Sequence, residues 1–195
     1  PFMQGQLDFS YILGQRIFNN RELVYEFVQV NYNYESRKVH VKKLENWLLS
    51  VHRQKLYDDF NKHYYYLAKC KAVEAIDSYH GTVYRITFDA YPFMISEHPE
   101  GHDIWDLFNF ELDYSQHNKF TVSGRRTINL KNVGTNTISP TIVTTAPMNI
   151  VKEGVSYQVG IGETKSYEMM LKLGENPMTL TGSGTIEFRF YKELV

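Results

Sequence analysis

LKLGENPMTLTGSGTIEFRFYKELV, residues 171–195, decides the class of fold. From Ile186 onward, Ile186, Phe188, Phe190 and Lys192 fall on one side of an extended chain, and Glu187, Arg189, Tyr191 and Glu193 on the other. A period of two is the signature of a strand with one buried face. Gly-Glu-Asn-Pro at 174–177 and Gly-Ser-Gly at 182–184 supply glycine, asparagine and proline together, and they predict turns on either side of a short strand. The same rhythm runs upstream: LFNFELDY, KFTVSG, RTINLKNVG, TISPTIVTT, MNIVKEG, VSYQVGIG and KSYEMMLKLG follow one another from residue 107. Short strands about ten residues apart, broken by Gly, Asn or Pro, predict a β-sandwich or jelly roll over 107–195.

The first half has a different plan. RELVYEFVQV, residues 21–30, alternates as a strand, and NYNYES after it reads as a turn. From Ser36 the period changes: Val41, Leu44, Leu48 and Val51 recur at helical spacing with Trp47 beside them. That predicts one helix over 37–51 with Ser36 as its N-cap. Arg37, Lys38, Lys42 and Lys43 are placed on its outer face, either as a solvated surface or as a docking patch. QKLYDDF, HYYYLAKCKAVEAI and GTVYRITFDAYPF are three more strands, with a turn at His80-Gly81. SEHPEGHDIWD, residues 96–106, breaks the pattern with Pro, Gly and charge. The expected organisation is therefore mainly β, with an antiparallel domain carrying one helix over 1–95, a linker over 96–106 and a sandwich over 107–195.

Composition narrows the function. The 195 residues carry a formal net charge of −1, so no whole-chain positive field points to nucleic acid or acidic lipid. No apolar run reaches the ~18 residues of a membrane span. Cys70 is the one cysteine, which excludes an intrachain disulfide and fits assembly in a reducing cytosol. Within YYYLAKCKAVEAI it reads as a small hydrophobe on a strand. A nucleophilic thiolate would need an identifiable cationic neighbourhood.

Candidate chemistry is sparse. HPEGHD gathers His98, Glu100, His102 and Asp103, yet Pro99 and Gly101 oppose the helix that a His-Glu-x-x-His zinc site requires. His52 with Asp58 and Asp59 has no serine or cysteine placed beside it by a recognisable motif. VGIGETKS lacks phosphate-loop spacing and reads as a tight turn. No cofactor and no metal is expected. Tyrosine and phenylalanine are abundant, at 15 and 12. Aromatic residues and arginines serve equally as β core and as protein interface.

The order of the segments resembles one family. MQGQLDFSYILGQRIFNNRELVYEF, then a helix ending in ENWLLS, then KLYDDFNKHYYYLAKC and FDAYPFMIS, resembles the N-terminal domain of distal tail proteins from long-tailed phages and prophages of Gram-positive bacteria. INLKNVGTNTISPTIVTT and the closing LKLGENPMTLTGSGTIEFRFYKELV are similar to the family's C-terminal domain. The resemblance implies a virion structural protein and no enzyme. Six copies would form a ring, in single or paired hexamers, that joins the tail tube protein to the tail-tip hub protein and can carry receptor-binding arms. It places the protein at the virion tail tip, assembled in the host bacterial cytoplasm. It also implies further strands and an extended belt segment ahead of Met3, so residues are expected to precede Pro1. The second domain would be galectin-like, although HNKF at 117–120 does not match the sugar-binding strand of a galectin. A carbohydrate-binding module of an adhesin is the alternative. Tyr11, Arg16, Phe18, Arg21 and Tyr25 are the candidates for subunit interface or core in the ring domain.

Overall fold

The computed structural model describes residues 16–30, 33–79, 81–102, 111 and 113–195. The fold is mainly β, with one helix among the described residues. The chain divides into two compact units, Pro1–Tyr57 with Tyr66–Pro92, and Asp58–Tyr65 with Phe93–Val195.

In the first unit, β1 (Arg21–Val30) pairs antiparallel with β4 (Gly81–Ser96), from Arg21 opposite Ala90 to Val30 opposite Gly81. The sheet continues through β3 (Tyr64–Ser78) to β2 (Gln54–Leu56), in the order β1-β4-β3-β2. Leu23, Tyr25 and Gln29 of β1 are half-buried, while Glu22, Val24, Glu26 and Val28 are exposed, as the alternation in RELVYEFVQV requires.

The helix α1 (Tyr34–Leu49) begins three residues earlier than its periodicity indicates. Asn33 is the N-cap, and its side chain accepts the backbone N–H of Ser36 at 2.7 Å. Ser36 therefore lies inside the helix, and an asparagine of the preceding turn performs the capping. Arg37 also departs from expectation. It is only 8% exposed, and its guanidinium donates to the carbonyls of Ser78 (2.8 Å) and Gly81 (2.7 Å). Helical spacing put it among the lysines, but the two carbonyls at the β3–β4 turn draw it inward. Lys38 extends the attachment by pairing with Asp77, and Gln29 of β1 bonds His40 at 2.9 Å.

The second unit is organised by one long strand, β10 (Gly174–Arg189). Along one edge it pairs with the whole of β5 (Lys119–Asn132). Along the other it pairs first with β7 (Met148–Lys152), at 179–182, and then with β6 (Thr141–Thr144), at 186–189. β8 (Val155–Val159) extends the β7 side and β9 (Gly162–Lys165) the β6 side.

Four expectations change here. KFTVSG and RTINLKNVG are one strand. Both predicted turns, at 174–177 and 182–184, lie within β10. GETK, read as part of a tight turn, is β9, whereas the interior of KSYEMMLKLG, 166–173, contributes a single bridge between Leu171 and Ile138. LFNFELDY falls mostly outside the described residues.

Gly182 and Gly184 are where β10 exchanges partners, with φ of 149° and 148°. A Cβ at Gly184 would meet the Thr145 hydroxyl at 2.8 Å, and one at Gly182 would meet Met148 Cγ at 2.9 Å. The β6–β7 connection passes over the strand at this point, so glycine is used for close approach rather than for chain reversal. Met178 and Leu180 before the exchange, and Ile186 and Phe188 after it, lie on one side of the strand and join Ile142, Ile150 and Leu130 in one buried cluster. A strand that serves two sheet segments through a bend is a known way to form a sandwich corner.

Asn132, the last residue of β5, and Asn176, near the start of β10, are buried and hydrogen-bonded. The Asn132 amide donates to the carbonyls of Asn136 (2.9 Å) and Leu171 (3.1 Å), and its oxygen accepts from Gly134 N–H (3.0 Å). Asn176 both accepts from Lys172 N–H and donates to Lys172 C=O, at 2.8 Å each. The last alternating run behaves as read: Ile186, Phe188, Phe190 and Lys192 are all buried. β11 (Glu193–Leu194) then pairs with Ile95 and Met94 at the end of β4.

Candidate assembly surface

Helix α1 is held to the sheet mainly through its first half. Beyond Arg37, Lys38 and His40 the contacts loosen, and a groove of about 520 Å³ opens beneath the second half. Leu44, Trp47 and Leu48 line it from the helix, with Tyr25, Phe27 and Phe88 from the sheet. Trp47 is 64% exposed and Phe27 is 54% exposed. Burying apolar surface yields about 25 cal/mol per Å², so large side chains left open to water mark an unfinished surface. Val24, Val28 and Val30, on the outward side of β1, are exposed as well. The contrast with the second unit is clear, because that unit holds a continuous cluster of fully buried aliphatic and aromatic residues.

The residues singled out from sequence separate into two groups. Arg21 and Tyr25 lie on the same side of β1. The Arg21 guanidinium donates to the Tyr66 hydroxyl at 3.4 Å and sits 5.6 Å from that ring's centre. Tyr25 packs edge-on against Phe88, with ring centres 6.0 Å apart, and reaches the groove. Arg16 is exposed, and its guanidinium lies 5.0 Å over the half-buried Phe18 ring. Tyr11 lies outside the described residues. Trp47, Phe27 and Arg37 were missed as surface-forming or anchoring residues. Trp47 and Phe27 carried apolar patterns indistinguishable from core patterns. For Arg37, the only clue was its place four residues after Asn33.

Asp58 and Asp59 form a turn and do not act as an acid pair. Asp58 Oδ1 accepts the backbone N–H groups of Phe60 (3.0 Å) and Asn61 (2.7 Å), and Tyr64 N–H donates to Asn61 C=O at 3.2 Å. His63 adopts a left-handed φ of 68° in the same turn. Phe60 projects from it, 93% exposed. Cys70 lines the groove floor half-buried. Burial pushes its thiol above the ordinary value, opposing thiolate formation.

Within the second unit, the described part of the HPEGHD stretch, 98–102, is irregular, and Asp103 lies outside the described residues. Glu100 N–H donates to Phe190 C=O at 2.8 Å, and the Asn118 amide donates to Glu100 C=O. Lys192 is 1% exposed and pairs with Asp113, and its ammonium stands 5.4 Å from the centre of the Tyr64 ring. Burial pulls the ammonium's pKa down, but hydrogen bonds with Asp113 and Tyr64 outweigh it and leave Lys192 above its ordinary value. Burial also pushes the Glu100 carboxyl from 4.5 up to about 6; Lys192 opposes that rise, Asp113 adds to it, and the Gln116 side chain opposes it. One buried ammonium thus faces two carboxylates, a structural cluster tying the chain end to residues 97–102.

No family model and no curated protein matches the sequence. A solved structure does match: the crystal structure of SPP1 Dit (gp 19.1), described as a paradigm of the hub adsorption apparatus in phages that infect Gram-positive bacteria. It aligns with a TM-score of 0.54 at 12% identity, over 93% of this chain and 81% of that one. Identity that low carries the fold, and it is the fold that the order of sequence motifs implied: this chain is folded as a Dit-type phage tail protein.

Proposed function

We propose that the protein is a structural component of a phage tail tip. Copies of the N-terminal part, residues 1–95, assemble into a hexameric ring, which connects the tail tube protein to the tail-tip hub protein and supports host-adhesion parts. The observation that carries this reading is the likeness to SPP1 Dit along almost the whole chain. The open apolar surface of the first unit supports it, because a ring subunit must keep such a surface available for its neighbours. Arg16, Phe18, Arg21 and Tyr25 belong to that unit and, with Tyr11, are the ring-domain candidates. The domain plan that goes with the reading is a ring-forming part over 1–95, a linker over 96–106 and a galectin-like sandwich over 107–195.

Light scattering across a range of protein concentrations tests the proposal. A mass of six or twelve chains is the expected result, and a monomer at every concentration overturns it. Glycan retention by the monomer would bring forward a carbohydrate-binding module instead.

A further inference from the structure

We infer that a notch in the second unit binds a neutral, densely hydroxylated ligand: a saccharide. The inference goes beyond the ring reading and stands apart from it.

The notch encloses about 390 Å³, within the ~300–1,000 Å³ of small-molecule sites. Three stretches of the unit meet there, 99–102, 117–119 and 187–189. Hydrogen bonds hold them together before any ligand arrives. Phe188 N–H donates to Asn118 C=O and Glu100 N–H to Phe190 C=O, at 2.8 Å each, and the Asn118 amide donates to Glu100 C=O. A ligand entering a site of this kind meets little reorganisation cost.

The lining residues decide the class of ligand. Charges at the notch offset one another. Lys119 and Arg189 line it with Glu100 and Glu187, Lys192 and Asp113 stand next to Glu100, and Glu163 adds a further acid near Arg189. Without a surplus of positive charge, an oxyanion gains little by entering. Among the described residues, no three His, Cys, Asp or Glu side chains are grouped to hold a metal ion. Apart from Pro99 and the buried Phe188 the side chains are polar, so an aliphatic ligand would find little apolar cover. A sugar meets all three conditions, because each hydroxyl both donates and accepts.

Two details suit vicinal hydroxyls in particular. Arg189 donates through two nitrogens to the two carboxylate oxygens of Glu187, at 2.7 and 3.3 Å. The pair holds both planar groups side by side and leaves the other guanidinium N–H groups and carboxylate lone pairs for a ligand. Asn118 keeps its side-chain oxygen buried without a donor, a costly state that a ligand hydroxyl would relieve. The site is not the sugar-binding strand of a galectin, which HNKF does not match.

Saturation-transfer difference NMR on the full chain tests the site. The probes are glucose, galactose, mannose, N-acetylglucosamine and lactose at millimolar concentration, with glucuronate and inorganic phosphate as charged comparators. The expected result is transfer to at least one neutral sugar, with binding weakened roughly tenfold or more in Arg189→Ala and in His117→Ala. Both side chains are exposed, so both variants should keep the parent's melting temperature. No transfer to any neutral sugar, transfer to a charged comparator alone, or binding unchanged in both variants each overturns the site. Light scattering on the same samples separates the two readings. Hexamers that bind no sugar leave the ring and sink the notch, whereas sugar-binding monomers do the reverse.

Discussion

Replacing Glu100 with glutamine should flatten one component of the protein's pH–stability profile. The wild-type carboxyl is pushed from 4.5 to about 6, first by burial and then by Asp113. A folded-state value above the unfolded one means that the folded chain binds the proton more tightly. The contribution is therefore fully present below pH 4.5 and is lost as pH rises through 6. A shift of that size corresponds to about 2 kcal/mol, and partial access of solvent to the carboxyl reduces it to about 1–2 kcal/mol. Glutamine keeps the shape and stays neutral, so Glu100→Gln should match the wild type near pH 4.5. Above pH 7 it should exceed the wild type, by roughly 2–8 °C in melting temperature for a chain of this size.

Calorimetric melting of both proteins from pH 4.5 to 8 reads this directly. The difference curve matters most, because it cancels every other titrating group. Glu153 and Glu187, for example, are held below the ordinary range by hydrogen bonds with Lys172 and Arg189 respectively. A difference curve that is flat across pH 5–7, or that favours the wild type at pH 8, would refute the argument that burial outweighs the pull of Lys192 on Glu100.

Three further outcomes follow from packing and backbone geometry. Phe188→Ala removes a ring that is fully buried where both halves of β10 contribute to the core, and should cost about 3–5 kcal/mol in denaturant unfolding. Gly184→Ala places a methyl group against Thr145 at a φ of 148°, and should cost about 1–3 kcal/mol; equal stability would mean that the β6–β7 connection is free to move aside. Asn33→Ala removes the N-cap of α1 and should lower stability by about 1 kcal/mol, with faster hydrogen exchange at the Ser36 amide, whereas Ser36→Ala should have a smaller effect.

The chain's own pattern determined several elements outright. RELVYEFVQV is β1 from end to end, because a period of two needs no partner to be read. Ile186, Phe188, Phe190 and Lys192 occupy one buried side as their spacing required, even though the last is a lysine. The mixture of many strands with one helix was legible for the same reason. Tertiary structure decided where strands end. Glycine predicts a turn from local conformation, but Gly182 and Gly184 are there because another segment crosses them, a fact that no window of sequence contains. Arg37 turned inward for carbonyls more than forty residues away, and Asn132 was drawn into the interior in part by the carbonyl of Leu171, thirty-nine residues away. The open apolar surface of the first unit was hidden in a similar manner. Apolar spacing in Phe27, Leu44 and Trp47 says that these side chains seek cover, and only the folded chain reveals that the cover it supplies is incomplete. Periodicity is a local property and survives in sequence; partners at long range are not local, and they alone decide which glycine bends a strand and which apolar face remains open.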